Sequence, residues 1–186
     1  QEMYDRINDF VARRPGIEAE LFERQRDFYR LAWSDQNKGM LFFDWFIFDY
    51  RLEKSRKRLF DLFLADQKKK ISHELYDRYA AVGHDCFGFF KIKAVKMGLE
   101  FLCEDAVTST EYHVYETTLT KYINKGDYII GRLLPFDDAF VTASQCLRFE
   151  KQNYDVLALL LKGRSGMRQQ RIDAFEVYKV LFPQPI

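Results

Sequence analysis

The sequence predicts an α+β protein: an N-terminal helical part, a small five-stranded antiparallel barrel or curled sheet, and C-terminal helices. Three observations predict it. Up to residue 83 the apolar side chains recur at helical spacing. From 84 to 148 the spacing switches to alternation, broken by turn residues at short intervals. From 149 to 186 the helical period returns. These three regions are expected to pack as one compact unit.

The elements follow in order. Met3 to Arg13 reads as a short helix, and Pro15-Gly16 separates it from the next. From Ile17 to Leu31 the apolar positions 17, 21, 28 and 31, with 22 and 29, form one stripe against a charged opposite face. The densest apolar run is Met40 to Tyr50. Its eleven residues fall short of the roughly 20 that a bilayer requires, so it is expected to be a core element. Its acids, Asp44 and Asp49, need partners if buried, and Arg51, Arg30 or Arg132 are the expected ones. Helices at Leu59–Leu64 and Ser72–Val82 complete the first part.

Strands are expected at Cys86–Ala94, Leu99–Glu104, Tyr112–Tyr115, Tyr128–Leu134 and Ala139–Ala143. Five short strands separated by turn signals suit a barrel of SH3-like or OB-like size. At the C-terminal end, Asn153 is placed to cap a helix over Tyr154–Leu161 that stops at Gly163, and Ile172–Phe182 forms a last amphipathic helix stopped by Pro183.

Composition narrows the class. The chain has 186 residues, with 29 basic and 28 acidic side chains and a formal net charge of +1. With 47% hydrophobic and 31% charged residues, it can build a core and is not a disordered chain. The 18 Phe and 11 Tyr are expected chiefly in that core. Cys86, Cys103 and Cys146 are too few and too widely spaced for a secreted disulfide framework, so a reducing cytoplasmic setting is expected. The first residues carry no apolar leader, and no membrane segment is expected.

Two stretches resemble a known group. Phe43-Asp44-Trp45-Phe46-Ile47-Phe48-Asp49-Tyr50, followed by Leu59-Phe60-Asp61-Leu62-Phe63-Leu64, resembles the F-x-x-W-F-x-F-D-Y segment of uncharacterised bacterial cytosolic proteins often associated with a SEC-C zinc motif. Gly126-Asp127-Tyr128-Ile129-Ile130-Gly131-Arg132-Leu133 resembles a Gly-Asp-x-Ile-x-x-Arg-Leu stretch in their β-rich part. The resemblance implies a helical-plus-barrel architecture and a bacterial source, and it implies no activity. No Cys-x-Cys cluster follows Gly166, so no SEC-C zinc site is expected.

Most chemistry is disfavoured by spacing. His84, Cys86 and His113 could meet only through the fold, without the paired ligand spacing that zinc sites use, so no metal is expected. Cys86 and Cys103 lie in apolar strand patterns, where thiols are usually inert. There is no nucleophile elbow, and Gly163-Arg164-Ser165-Gly166 marks a helix break. No glycine-rich phosphate cradle occurs. Asp44 and Asp49, five positions apart, do not share a helix face. No catalytic residue and no cofactor is assigned.

Charge segregation is more informative. Residues 51–70 hold eight basic and three acidic side chains, and 148–171 hold six and two, whereas the first 50 residues hold seven and ten. Clustered cations gain by releasing counterions from a phosphate backbone. The candidate nucleic-acid-binding residues are therefore Arg56, Lys57, Arg58, Lys68, Lys69 and Lys70, with Arg132 as a further candidate. Phe87, Phe89, Tyr112 and Tyr115 are placed on strands where they could stack bases. The expected function is a non-catalytic macromolecule-binding module whose partner is RNA, DNA or a ribonucleoprotein. The alternatives are a protein–protein adaptor and an enzyme with a site assembled only in space.

Overall fold

Why the run at 40–50 is so apolar becomes plain in the computed structural model, which describes residues 2–30, 38–143, 146–149 and 174–181. The chain divides into two units, one carrying the described residues of Gln1–Gly83 and Asp173–Ile186, the other those of His84–Ile172.

The first unit is helical: α1 Glu2–Ala12, α2 Pro15–Tyr29, α3 Lys38–Phe48, α4 Leu59–Gln67, α5 His73–Val82 and α6 Ala174–Leu181. Pro15 opens α2, where its missing N–H costs nothing. Ser72 caps α5 by accepting from the Leu75 amide at 3.3 Å. On α3, Leu41, Phe42, Trp45, Phe46, Ile47 and Phe48 are all buried, whereas Met40 in its first turn is exposed, so from Leu41 onward the helix lies largely inside the unit. Rings from its neighbours close on it: Phe28 of α2 meets Phe42 at 5.4 Å, and Phe60 of α4 meets Phe48 at 5.2 Å. Tyr178 of α6 reaches Phe28 at 5.8 Å. Several pairs are edge-to-face, the geometry ring quadrupoles favour. Asp44, buried on this helix, accepts a hydrogen bond from the Tyr4 hydroxyl at 2.7 Å.

The α2 stripe is narrower than its spacing suggests. Phe28 is buried, whereas Phe22 and Tyr29 are 59% and 48% exposed. The helix expected at 154–161 lies outside the described residues.

The second unit is the β-rich one: β1 Cys86–Lys96, β2 Glu100–Asp105, β3 Glu111–Tyr115, β4 Tyr128–Phe136, β5 Ala139–Thr142 and β6 Leu147–Phe149. β1 pairs with β4 through residues 86–91 and with β2 through 90–96, bending at a register shift between Ile92 and Ala94. The ring β1-β2-β3-β5-β4 closes on β1, with β6 added alongside β4. β3 and β5 run parallel, which corrects the expectation of an all-antiparallel barrel. The reason is parity: an odd number of strands cannot alternate in direction around a closed ring. This order, with its parallel closure, is the connectivity of OB-type barrels. The core is Phe90, Ile92, Phe101, Cys103, Val114, Ile123, Ile129 and Leu133. At the β2–β3 turn, Asp105 accepts from the amides of Val107 and Thr108 at 2.7 and 2.8 Å.

Gly131, in the middle of β4, faces Cys146, and a Cβ at this position would collide with its sulfur. Gly131→Ala should therefore destabilise the fold by about 1–3 kcal/mol through overpacking, with part of the loss recovered when Cys146→Ala is added. Urea unfolding of the three chains measures both.

Candidate nucleic-acid interface

The segment between α3 and α4 is a tight loop pinned by one apolar side chain. Leu52 is 3% exposed. Its N–H donates to the Lys57 carbonyl at 3.0 Å, and its carbonyl accepts from the Arg56 amide at 2.8 Å. Arg51 and Arg58 form a bridge at the base, and Arg56 turns the chain with φ of 58°. Glu53 fastens the loop to α2: its N–H donates to Glu20 at 2.7 Å, and its carboxylate accepts from Arg24 at 3.3 Å. The acid is thus paired at the surface, while Lys54, Arg56 and Lys57 are exposed beside it.

Arg58 behaves differently. It is half-buried and grips Asp61 with two bonds of 3.0 and 2.6 Å. Burial would raise the Asp61 carboxyl, but Arg58 outweighs it and holds the group below its usual range. The cation sits at the N-terminal end of α4, the unfavourable end for positive charge, so its pairing with Asp61 supplies a structural role.

Lys68, Lys69 and Lys70 follow the last turn of α4, and all three are exposed. Cations here complement the helix dipole, worth about 0.3–1 kcal/mol each. Lys70 bonds Asp66 at 2.7 Å. Lys68 and Lys69 make no ion pair among the described residues.

Arg132 is not a surface contact. Its side chain is 2% exposed, pairs with the fully buried carboxylate of Asp85 and lies over the Phe87 ring at 5.4 Å. A guanidinium enclosed in this way cannot neutralise a phosphate in solvent, so it leaves the candidate set. The stacking aromatics are corrected too. Phe87 and Phe89 are buried. Tyr112 packs edge-to-face on Phe90 and Phe140, inside the barrel. Of the four, Tyr115 alone is exposed, at 38%.

OB-type barrels bind oligonucleotides on the face of strands 2 and 3. Here the outward positions form three rows: Lys91, Glu104 and Glu111; Ala94, Leu102 and His113; Lys96, Glu100 and Tyr115. Lys93 bonds Glu104 at 2.7 Å and His113 contacts Glu100 at 2.9 Å. Lys93 holds Glu104 below the usual carboxylate range. With Glu100, Glu104 and Glu111 against Lys91, Lys93 and Lys96, this face has no surplus of positive charge, and most of the basic stretch 148–171 lies outside the described residues.

Residues 19–181 match the profile of a family of unknown function, DUF7986. The chain belongs to that family. No curated protein and no solved structure matches it. The DUF7986 match begins within α2 and ends at the last residue of α6. It takes in the 51–58 loop and Lys68–Lys70 but leaves α1 outside.

Among the described residues no group of three or more His, Cys, Asp or Glu is placed to hold a metal ion, and no helix is long and apolar enough to cross a membrane. Burial pushes the Cys86 and Cys103 thiols up, which favours their protonated form. Sequence reading missed Arg13 and Arg14. They precede Pro15 at the break between α1 and α2, and Arg14 bonds Asp66, 52 positions away, at 2.9 Å. The basic pair beside a helix break was the available signal.

Two tests follow from these pairings. Asp85→Asn would leave Arg132 charged in the interior, a loss of about 3–5 kcal/mol in equilibrium unfolding. Asp66, bonded by Lys70, opposed by slight burial and bonded again by Arg14, has its carboxyl held below the usual range. A depressed folded-state value means stability that is complete above the unfolded carboxylate range, near pH 4, and lost as pH falls through the folded value. Asp66→Asn should flatten the acid side of the stability–pH curve, measured by denaturant titration from about pH 6 down to pH 2.

Proposed function

We propose that this protein is a non-catalytic binding module whose helical unit docks on a phosphate backbone, that of RNA, DNA or a ribonucleoprotein. The observation that carries the reading is the placement of exposed cations at both ends of one short helix. Lys54, Arg56 and Lys57 precede α4, and Lys68 and Lys69 follow it. At 1.5 Å per residue the two groups are separated by about 15 Å along the helix. Phosphates of one duplex strand repeat every 3.4 Å along the axis, so that separation spans about four nucleotide steps. The barrel's outward face, with its glutamates, takes no part. Recognition is then by charge and spacing and not by base sequence.

A second reading, in which the protein is a protein–protein adaptor, draws on the charge-balanced outward face of the barrel with the exposed Tyr115 at its edge. Salt and substitution separate the two.

Labelled RNA and DNA oligonucleotides should bind the full chain at about 50 mM salt, and phosphate contacts by these five cations should weaken that binding by about a hundred- to five-hundredfold at 200 mM. Lys54→Glu, Arg56→Glu and Lys57→Glu together should abolish it with an unchanged circular dichroism spectrum. An absence of binding at either salt, or binding indifferent to these substitutions, would overturn the reading in favour of the adaptor.

A further inference from the structure

A cleft of about 420 Å³ opens between α1, the Arg13–Arg14 segment that follows it and the C-terminal end of α4, within the size range of sites for small ligands. Four cations line it, Arg6, Arg13, Arg14 and Lys70, against two carboxylates, Asp9 and Asp66. The lining therefore carries a surplus of two positive charges. We propose that this cleft binds a phosphate monoester, a group with close to two negative charges at neutral pH.

The wall is preorganised. The Arg14 guanidinium lies on the Phe10 ring, 3.6 Å from its centroid. It donates to the Phe10 carbonyl at 2.9 Å and to Asp66 at 2.9 Å, so two of its five donors fix its plane. Asp66 also takes Lys70 at 2.7 Å and the carboxamide of the buried Gln67 at 3.1 Å. One carboxylate thus positions two cations and spends its own charge doing so. Asp66 is a positioning residue here and not a ligand contact.

The remaining cations differ in availability. Arg6 is held by Glu2 at 2.9 Å and closes one side. The pair Arg13 to Asp9 is long, at 3.6 Å, and both side chains are more than 70% exposed, so solvent screens it and it is easily exchanged for a better anion. Arg13, Arg14 and Lys70 are then three donors for the three terminal oxygens of a phosphate monoester, with Arg supplying the planar fork that suits this group. This site is independent of the 51–58 loop, and α1, which supplies Arg6 and Phe10, lies outside the stretch matched to the family.

The test is titration of the full chain with inorganic phosphate, following arginine side-chain resonances by NMR. Saturable shifts are expected in the unsubstituted chain. Arg13→Gln and Lys70→Gln, both at exposed positions, should each weaken binding about tenfold or more. The triple loop variant at Lys54, Arg56 and Lys57 should bind phosphate as the unsubstituted chain does, so this site and the backbone-docking reading can fail separately. Oligonucleotides with a 5′-phosphate and with a 5′-hydroxyl distinguish the sources. A preference for the phosphorylated end that Arg13→Gln removes assigns the group to a nucleic-acid terminus, whereas binding of inorganic phosphate without that preference assigns it to a small phosphorylated molecule. Shifts that do not saturate, or that persist unchanged in both single variants, would overturn the proposal.

Discussion

A helix with apolar side chains on every face must be surrounded, and α3 imposes that demand on everything else in the helical unit. Its rings are enclosed by α2, α4 and α6; α1 touches it through Tyr4, and α1 and α5 both pack on Phe63 of α4. Burying a Phe contributes about 1.5–3 kcal/mol, so a helix this rich in them anchors its neighbours. The polar side chains of those neighbours are left to line the outside.

That outside placement explains how charge is arranged. With α3 enclosed, the chain leaves it through an exposed loop and re-enters at α4, and cations collect at both ends of that helix. The carboxylates nearby are mostly spoken for: Glu53 by Arg24, Asp61 by Arg58, Asp66 by Lys70 and Arg14. The β-rich unit solves its charges locally as well, with Lys93 on Glu104 and Arg148 on Asp127. Among the described residues, exposed cations thus gather at the two ends of α4, although the whole chain is nearly neutral.

Much of the fold was legible because it rests on periodicity. The apolar run at 40–50 read as core, the break at Pro15 marked a helix start, and alternation from residue 86 marked strands. What was not legible depends on pairing over distance. Alternation gives strand identity and says nothing of direction, so the parallel contact between β3 and β5 had to come from closure of the ring. Arg132 sits among apolar strand residues, which signals burial, but its partner Asp85 is 47 positions away and carries no mark in the sequence. Phe90 points into the barrel core, whereas Phe87 and Phe89, on the opposite face of β1, are buried because that face too is covered along the first half of the strand. Alternation alone assigned Phe87 and Phe89 to the surface. Arg13 and Arg14 were passed over because a basic pair acquires meaning only beside the carboxylate it meets.

The order of elements along the chain has its own consequence. The helical unit is interrupted: α1 to α5 come first, then the whole β-rich stretch, and only then α6, whose Tyr178 completes the ring cluster around Phe28. During synthesis the barrel sequence emerges as one continuous piece, and its hairpins can form as soon as they leave the ribosome. The helical core has to wait, holding several large aromatic side chains in an unfinished packing until residues 174–181 arrive. The barrel is therefore expected to mature first and the N-terminal helices last, the reverse of the order in which they are made.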